Sequence, residues 1–109
     1  MAKVVMSPEA RKDLTEIGDY IAFRLHNKSA ARTLLGRLQK TVMSLAQFPE
    51  SGTPIDFSAP NFVYRYVICG NYMVFYHIRE NTVQIDRIFY GRRDYLSILF
   101  GEELPEEDP

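Results

Sequence analysis

Apolar positions in the first half of the chain recur with the period of a helix. Ala10, Leu14, Ile17 and Ile21 are spaced by four, three and four, while Arg11, Lys12, Asp13, Glu16 and Asp19 fall largely off that stripe. The pattern predicts an amphipathic helix from Pro8 to about Leu25. Ser7-Pro8-Glu9 supplies its start: an N-cap hydroxyl, a proline at the first helical position and an acid in the first turn. A second stripe runs from about Ser29 through Ala31, Leu34, Leu35, Leu38, Val42 and Leu45, with Arg32, Arg37 and Lys40 interspersed. The connection His26-Asn27-Lys28 is short, so the two helices form an antiparallel hairpin. Phe48-Pro49-Glu50-Ser51-Gly52-Thr53-Pro54 then ends helical structure, and residues 55 to 61 read as loop.

From Phe62 the period changes to two. Phe62, Tyr64, Tyr66 and Ile68 fall on one face and Val63, Arg65, Val67 and Cys69 on the other. Gly70-Asn71 reads as a tight turn, and Tyr72 to Arg79 and Thr82 to Tyr90 continue the alternation across Glu80-Asn81, giving a three-stranded antiparallel meander. Residues 3 to 6 form a further short apolar run, a first strand that joins the sheet because alone its backbone would be unpaired. Arg93 to Phe100 reads as a last short helix with Leu96, Leu99 and Phe100 packing back. The order strand, helix, helix, strand, strand, strand predicts an α+β fold with the helical hairpin across one face of a small antiparallel sheet. Residues 1–100 form the single domain, and residues 101–109 an acidic tail.

Composition narrows the class. The chain has 109 residues, 46% of them hydrophobic and 25% charged, enough for one modest core and typical of a globular protein. Cys69 is the single cysteine and lies in an apolar strand pattern; an internal disulfide is impossible and a reducing, cytoplasmic setting is expected. No apolar run reaches the roughly 18 residues of a membrane span, so no membrane partner is expected. The net charge of -1 conceals an asymmetry, since Glu102, Glu103, Glu106, Glu107 and Asp108 stand in the tail with no base. The remainder carries a formal +4, so the body is mildly basic. The tail is either a solvated terminus or a screen for the arginines that precede it.

Common enzymatic constellations are missing: no HExxH, no paired cysteines, no glycine-rich phosphate loop and no GxSxG. His26 and His77 are unconnected in the pattern, and neither a metal nor another cofactor is expected. The candidates that remain are arginines. Arg87 shares a face with Val83, Ile85 and Phe89 by simple alternation; either the strand twists out of the core there or the guanidinium is buried against an acid, for which Asp19 or Glu16 is available. Arg65 is a solvated edge residue or a contact residue. Arg92 and Arg93 follow Gly91 and are flanked by Tyr90 and Tyr95, an alternation of cations and aromatic rings that suits a protein or nucleic-acid surface.

Ser7-Pro8-Glu9-Ala10, Leu45-Ala46-Gln47-Phe48-Pro49 with Gly52 and Pro54, Gly70-Asn71-Tyr72-Met73-Val74-Phe75-Tyr76 and Arg87-Ile88-Phe89-Tyr90-Gly91-Arg92-Arg93-Asp94-Tyr95 together resemble the ParE/RelE superfamily of bacterial toxins over residues 3 to 100. The resemblance implies a type II toxin held in a hetero-oligomer with a cognate antitoxin. It also implies one of two targets. RelE-like members cut messenger RNA on the ribosome with cationic groups and a tyrosine or comparable residue, without metal; ParE-like members inhibit DNA gyrase. Where the RelE-like pattern would carry arginine and tyrosine, this chain has Met73 and Leu99, and where it would carry lysines it has Tyr64 and Tyr66. Arg93 alone matches the cationic set, with Arg65 and Tyr95 as possible substitutes if the chain is an endoribonuclease. The ending Tyr-Gly-Arg-Arg-Asp-Tyr resembles the gyrase-directed branch, which implies target contact by Arg65, Arg92, Arg93 and Tyr95. On the helical side Arg32, Arg37 and Lys40, with Lys28, imply an acidic, apolar-studded antitoxin. The same fold also serves as a non-toxic interaction module, which leaves a third reading open.

Overall fold

The computed structural model describes residues 1–55 and 63–91. Strand β1 (Lys3–Met6) leads into helix α1 (Pro8–Asp19), which runs on into a π-helical turn, Tyr20–Arg24. Helix α2 spans Lys28–Gln47, a 3-10 turn covers Pro49–Ser51, and strands β2 (Thr53–Pro54), β3 (Tyr64–Cys69), β4 (Tyr72–Arg79) and β5 (Thr82–Tyr90) follow. The expected α+β hairpin-on-sheet architecture is present. The expected helix over Arg93–Phe100 and the tail lie outside the described residues.

Local chemistry sets the element boundaries. The Ser7 hydroxyl accepts from the Ala10 N–H at 2.9 Å and donates to the Asp86 carbonyl at 2.8 Å, so one side chain caps α1 and ties it to β5. Asn27 caps α2 by accepting from the Ala30 N–H. Between the helices the Leu25 N–H bonds the Tyr20 carbonyl, the i to i+5 closure of a π turn, and His26 takes φ 51°. That left-handed residue reverses the chain, with the Asn27 N–H returning to the Ile21 carbonyl. The helices approach closely because Gly18 has no Cβ; one placed there would stand 3.0 Å from a Leu35 methyl.

Among the described residues the sheet has five strands in the order β1-β5-β4-β3-β2, one more than the sequence pattern indicates. The addition is β2, whose two residues pair antiparallel with Tyr66 and Arg65 inside the segment read as a helix breaker. Strand β1 does join the sheet, but parallel to β5, with Val4 opposite Val83 and Met6 opposite Ile85; the sheet is therefore mixed rather than wholly antiparallel. Glu80 and Asn81 both take positive φ, 52° and 58°, the pattern of a type I′ hairpin turn joining β4 to β5.

Ala10, Leu38, Val42 and Leu45 of the helices meet Cys69, Val74, Tyr76, Val83, Ile85 and Ile88 of the sheet to form the core. Each large apolar side chain so buried contributes roughly 1.5–3 kcal/mol before entropy is counted. Cys69 is buried, as its strand pattern predicts. The alternation along β5 breaks once. Phe75 stands opposite Arg87 and Tyr76 opposite Ile85, which leaves Asp86 as an extra residue, a β-bulge. Past the bulge the parity reverses: Val83, Ile85 and then Ile88 continue into the core, and Arg87 falls out of line with them. Simple alternation therefore misplaces Arg87.

Candidate functional site

The Arg87 guanidinium donates from Nε to Asp13 Oδ2 at 2.8 Å and from Nη2 to Asp13 Oδ1 at 2.9 Å, a two-pronged ion pair. The sequence-level candidates for its partner, Asp19 and Glu16, are not the ones chosen. Asp13 is selected because it sits three residues after Ala10 and four before Ile17, on the helix face that turns inward; its side chain is only 10% exposed. Its carboxylate also accepts the Ile88 N–H at 2.9 Å. Strand β1 covers the edge of β5 only as far as Ile85, so Asp13 takes the place of the missing strand for the next free donor. The hydrogen bonds it donates to Asp13 hold Arg87 charged and push its pKa upward, against the opposing effect of burial.

Arg65 is likewise engaged. Its Nη1 donates to the carbonyls of Gly52 at 2.9 Å and Glu50 at 3.2 Å. Beside it the Tyr76 hydroxyl donates to the Pro49 carbonyl at 2.7 Å and accepts the Gly52 N–H at 2.9 Å. Arg65 and Tyr76 thus clamp the turn that follows α2. Glycine is required at 52, since a Cβ there would lie 2.4 Å from the Tyr76 hydroxyl. Burial raises the Tyr76 pKa above its ordinary value, partly offset by the Gly52 hydrogen bond and by Arg65.

On the face of the sheet away from the helices, His77 Nδ1 lies 2.7 Å from Asp86 Oδ2, the carboxylate that the bulge supplies. Tyr64 meets the His77 ring edge-on at 5.3 Å and stacks on Phe75 at 5.0 Å. Burial, with a smaller effect of the Asp86 charge, raises the Tyr64 pKa. The sequence pattern left His77 unconnected. Its partnership becomes visible only once the bulge is known, because His77 stands opposite Gln84 in the strand register. A histidine oriented by a carboxylate has the chemistry to move a proton. Met73, in the same strand and on the same face, is 2% exposed.

Two apolar grooves flank the hairpin. One, of about 800 Å³, lies between α1 with its π turn and the ends of β4 and β5. The other, of about 480 Å³, lies along β1 beneath Leu35, Gln39 and Met43 of α2. Lys28, Arg32, Arg37 and Lys40 are all exposed on α2; at 100° per residue they spread over about 180° of its surface. Arg92, Arg93 and Tyr95 lie outside the described residues, so of the expected target contacts the structure places only Arg65, whose guanidinium the post-helix turn already uses. No helix among the described residues is long and apolar enough to cross a membrane.

A family profile described as the ParE toxin of the type II toxin–antitoxin system parDE matches residues 4–95. The toxin RelE2 of Caulobacter vibrioides is 33% identical over 93 residues, covering 85% of this chain and 99% of the relative. Among solved structures, the chromosomal ParDE system of P. aeruginosa superposes with a TM-score of 0.69 at 19% identity, covering 84% of this chain and 98% of that one. The toxin–antitoxin complex RelBE2 of Mycobacterium tuberculosis gives 0.58 at 20% identity, with coverages of 82% and 96%. The isolated E. coli RelE toxin gives 0.57 at 12%, with 90% and 93%.

Proposed function

The chain belongs to the ParE/RelE superfamily of type II toxin–antitoxin toxins, and from that premise we propose that it is a ParE-like toxin that inhibits DNA gyrase and is neutralised by a cognate antitoxin. The observation that carries the reading is that cations are missing from the sheet positions where the RelE-like pattern has them, the exposed Arg79 and Lys3 standing elsewhere, at the end of β4 and on β1. RNA cleavage needs a group to activate the 2′-hydroxyl, a stabiliser for phosphorane charge and a donor to the leaving oxygen. Among the described residues, Met73, Tyr64 and Tyr66 stand where the RelE-like pattern has cations, and the guanidinium groups of Arg65 and Arg87 are held by internal acceptors. The match to the ParE toxin family over residues 4–95 points the same way.

Target contact then falls to Arg92, Arg93 and Tyr95, with Arg65 acting from behind through the turn it holds. The antitoxin reading is supported by the exposed bases Arg32, Arg37 and Lys40 of α2 and by an apolar groove on the side of that helix where Arg32 falls between Gln39 and Met43, surfaces suited to an acidic amphipathic segment. The test is a supercoiling assay with gyrase, relaxed plasmid, ATP and the antitoxin-free protein. Inhibition that is lost in Arg92→Ala/Arg93→Ala supports the reading. Unchanged supercoiling with a folded sample and gyrase from the same host overturns it.

A second reading, ribosome-dependent cleavage of messenger RNA, is favoured by one observation, the His77–Asp86 pair beside Tyr64, and by the 33% identity to the RelE2 toxin. On that reading His77, 7% exposed, has to be uncovered on the ribosome to transfer the proton, and Arg93 meets the phosphorane charge. Translating ribosomes treated with His77→Ala and Arg93→Ala variants would then show cleavage lost in both, with the wild type active.

A further inference from the structure

Charge along the chain is divided by position. From Tyr20 to Pro49 the sequence has no acid and five bases, Arg24, Lys28, Arg32, Arg37 and Lys40, all of them exposed. The ion pairs of the described residues lie elsewhere, joining Lys12 to Glu16, His77 to Asp86 and Arg87 to Asp13. Among the described residues, then, none of the five is paired with a carboxylate. The complement is in the same chain: Glu102, Glu103, Glu106, Glu107 and Asp108, with no base among residues 101–109.

The way from one to the other is short. Strand β5 ends at Tyr90, and the Gly91 N–H donates to the Asn71 carbonyl at 2.8 Å, which fixes the chain's departure beside the turn between β3 and β4. Arg37 overhangs that turn, since a Cβ placed on Gly70 would stand 3.8 Å from its Nη2. The hairpin tip that carries Arg24 is at the same end, because Leu25 and Tyr90 border one groove. Lys40 lies nearly one turn beyond Arg37 and about 60° round the helix, whereas Arg32 and Lys28 lie about 140° and 180° away. Glu102 follows Gly91 by eleven residues, enough to span up to about 36 Å, and the whole of α2 is about 30 Å long. Reach allows any base of α2; the point of departure selects Arg37 and Lys40. Arg92 and Arg93 are nearer in sequence, but two cations with Asp94 beside them offset little of five acids.

We propose that the acidic tail docks on the chain's own α2, its carboxylates beside Arg37 and Lys40 with Arg24 at the near end, and covers that part of the basic surface when no partner is bound. Each exposed pair is weak. The tether compensates by holding the acids at an effective concentration on the order of millimolar, so the contact is salt-sensitive and readily displaced. As a self-contact it stands apart from the antitoxin reading. Joined to that reading, it makes the tail a built-in competitor for an acidic segment of the partner.

The test compares the full chain with a full-length Glu102→Gln/Glu103→Gln/Glu106→Gln/Glu107→Gln/Asp108→Asn variant. Carbodiimide joins a carboxylate to an amine where the two meet, and the lysines open to it are Lys3, Lys12, Lys28 and Lys40. In dilute solution at low salt the tail's crosslinks should concentrate on Lys40 and be lost at high salt. Amide spectra of the two proteins should differ over residues 37–44, a readout that reports on the arginine as well. Crosslinks spread evenly over the four lysines overturn the proposal. So do spectral differences confined to residues 92–95, which put the tail on the arginines that precede it. The competition is a separate arm: the product of the neighbouring reading frame should bind the neutralised variant about threefold more tightly at low salt and equally at high salt. Equal affinity at low salt, with the Lys40 crosslinks present, overturns the competition and the partner's use of this face while the self-contact stands.

Discussion

Asp13 and Arg87, 74 residues apart in the chain, form the joint between helical hairpin and sheet. The carboxylate receives three donors, two from the guanidinium and one from the Ile88 backbone, so neither its charge nor its lone pairs are left idle in a mostly buried position. An ion pair of this kind is costly to break from one side and much cheaper to replace whole.

Asp13→Ala should therefore destabilise the fold by about 3 kcal/mol, since it strands a half-buried guanidinium and a buried N–H at once. Asp13→Leu/Arg87→Met should cost clearly less than either single change. Urea unfolding of the three variants checks this, and a double variant as unstable as the sum of its parts would contradict it.

The clamp over the post-helix turn makes a second prediction. Tyr76→Phe removes the hydroxyl that bridges Pro49 and Gly52 and should cost about 1–2 kcal/mol. Gly52→Ala should cost more, because its Cβ would overlap the same hydroxyl and the Tyr66 carbonyl. Thermal melts rank the two; Gly52→Ala in the Tyr76→Phe background should recover part of the loss.

Alkaline pH should unfold the protein earlier than its acids and bases alone would indicate. Burial raises the pKa of Tyr64, Tyr72 and Tyr76 from the ordinary value of 10.0. Below that value the phenols are neutral in both folded and unfolded chains, and stability is intact. As pH rises past it the unfolded chain ionises first, and stability is lost progressively up to the folded-state values. Urea midpoints measured from about pH 9 upward should fall beyond pH 10.0, and Tyr76→Phe should make that fall shallower.

Ser7→Ala should cost about 1–2 kcal/mol, the upper range for an N-cap, because the hydroxyl caps α1 and also binds the Asp86 carbonyl. Ser7→Thr should retain most of the stability, as read from chemical denaturation.

How much of this is legible in the sequence depends on the length of the pattern that carries it. The helices and the three long strands follow from stripes and alternations of eight residues or so, and they stand where those patterns put them. Strand β2 is two residues long and includes a proline, too short for any period to register. Asp13 lies at the right helical phase, but a charge at that position reads as part of the solvent face. The bulge at Asp86 hides in a run whose alternation looks unbroken, and by reversing the parity beyond it alters the neighbours of both Arg87 and His77. Those two pairings are tertiary facts, written in no local spacing.

The register of β1 also bears on synthesis. Ser7 bonds to Asp86, 79 residues later, and among the described residues the strand before it pairs with β5 alone. At roughly 5–20 residues per second on the ribosome, the first strand waits on the order of 4–16 s for its partner to be made. Until then the sheet lacks β5, the strand that links β1 to β4, so a nascent chain shortened before residue 82 has neither the joint nor the parallel pair. The residues of β1 are thus made early and paired late.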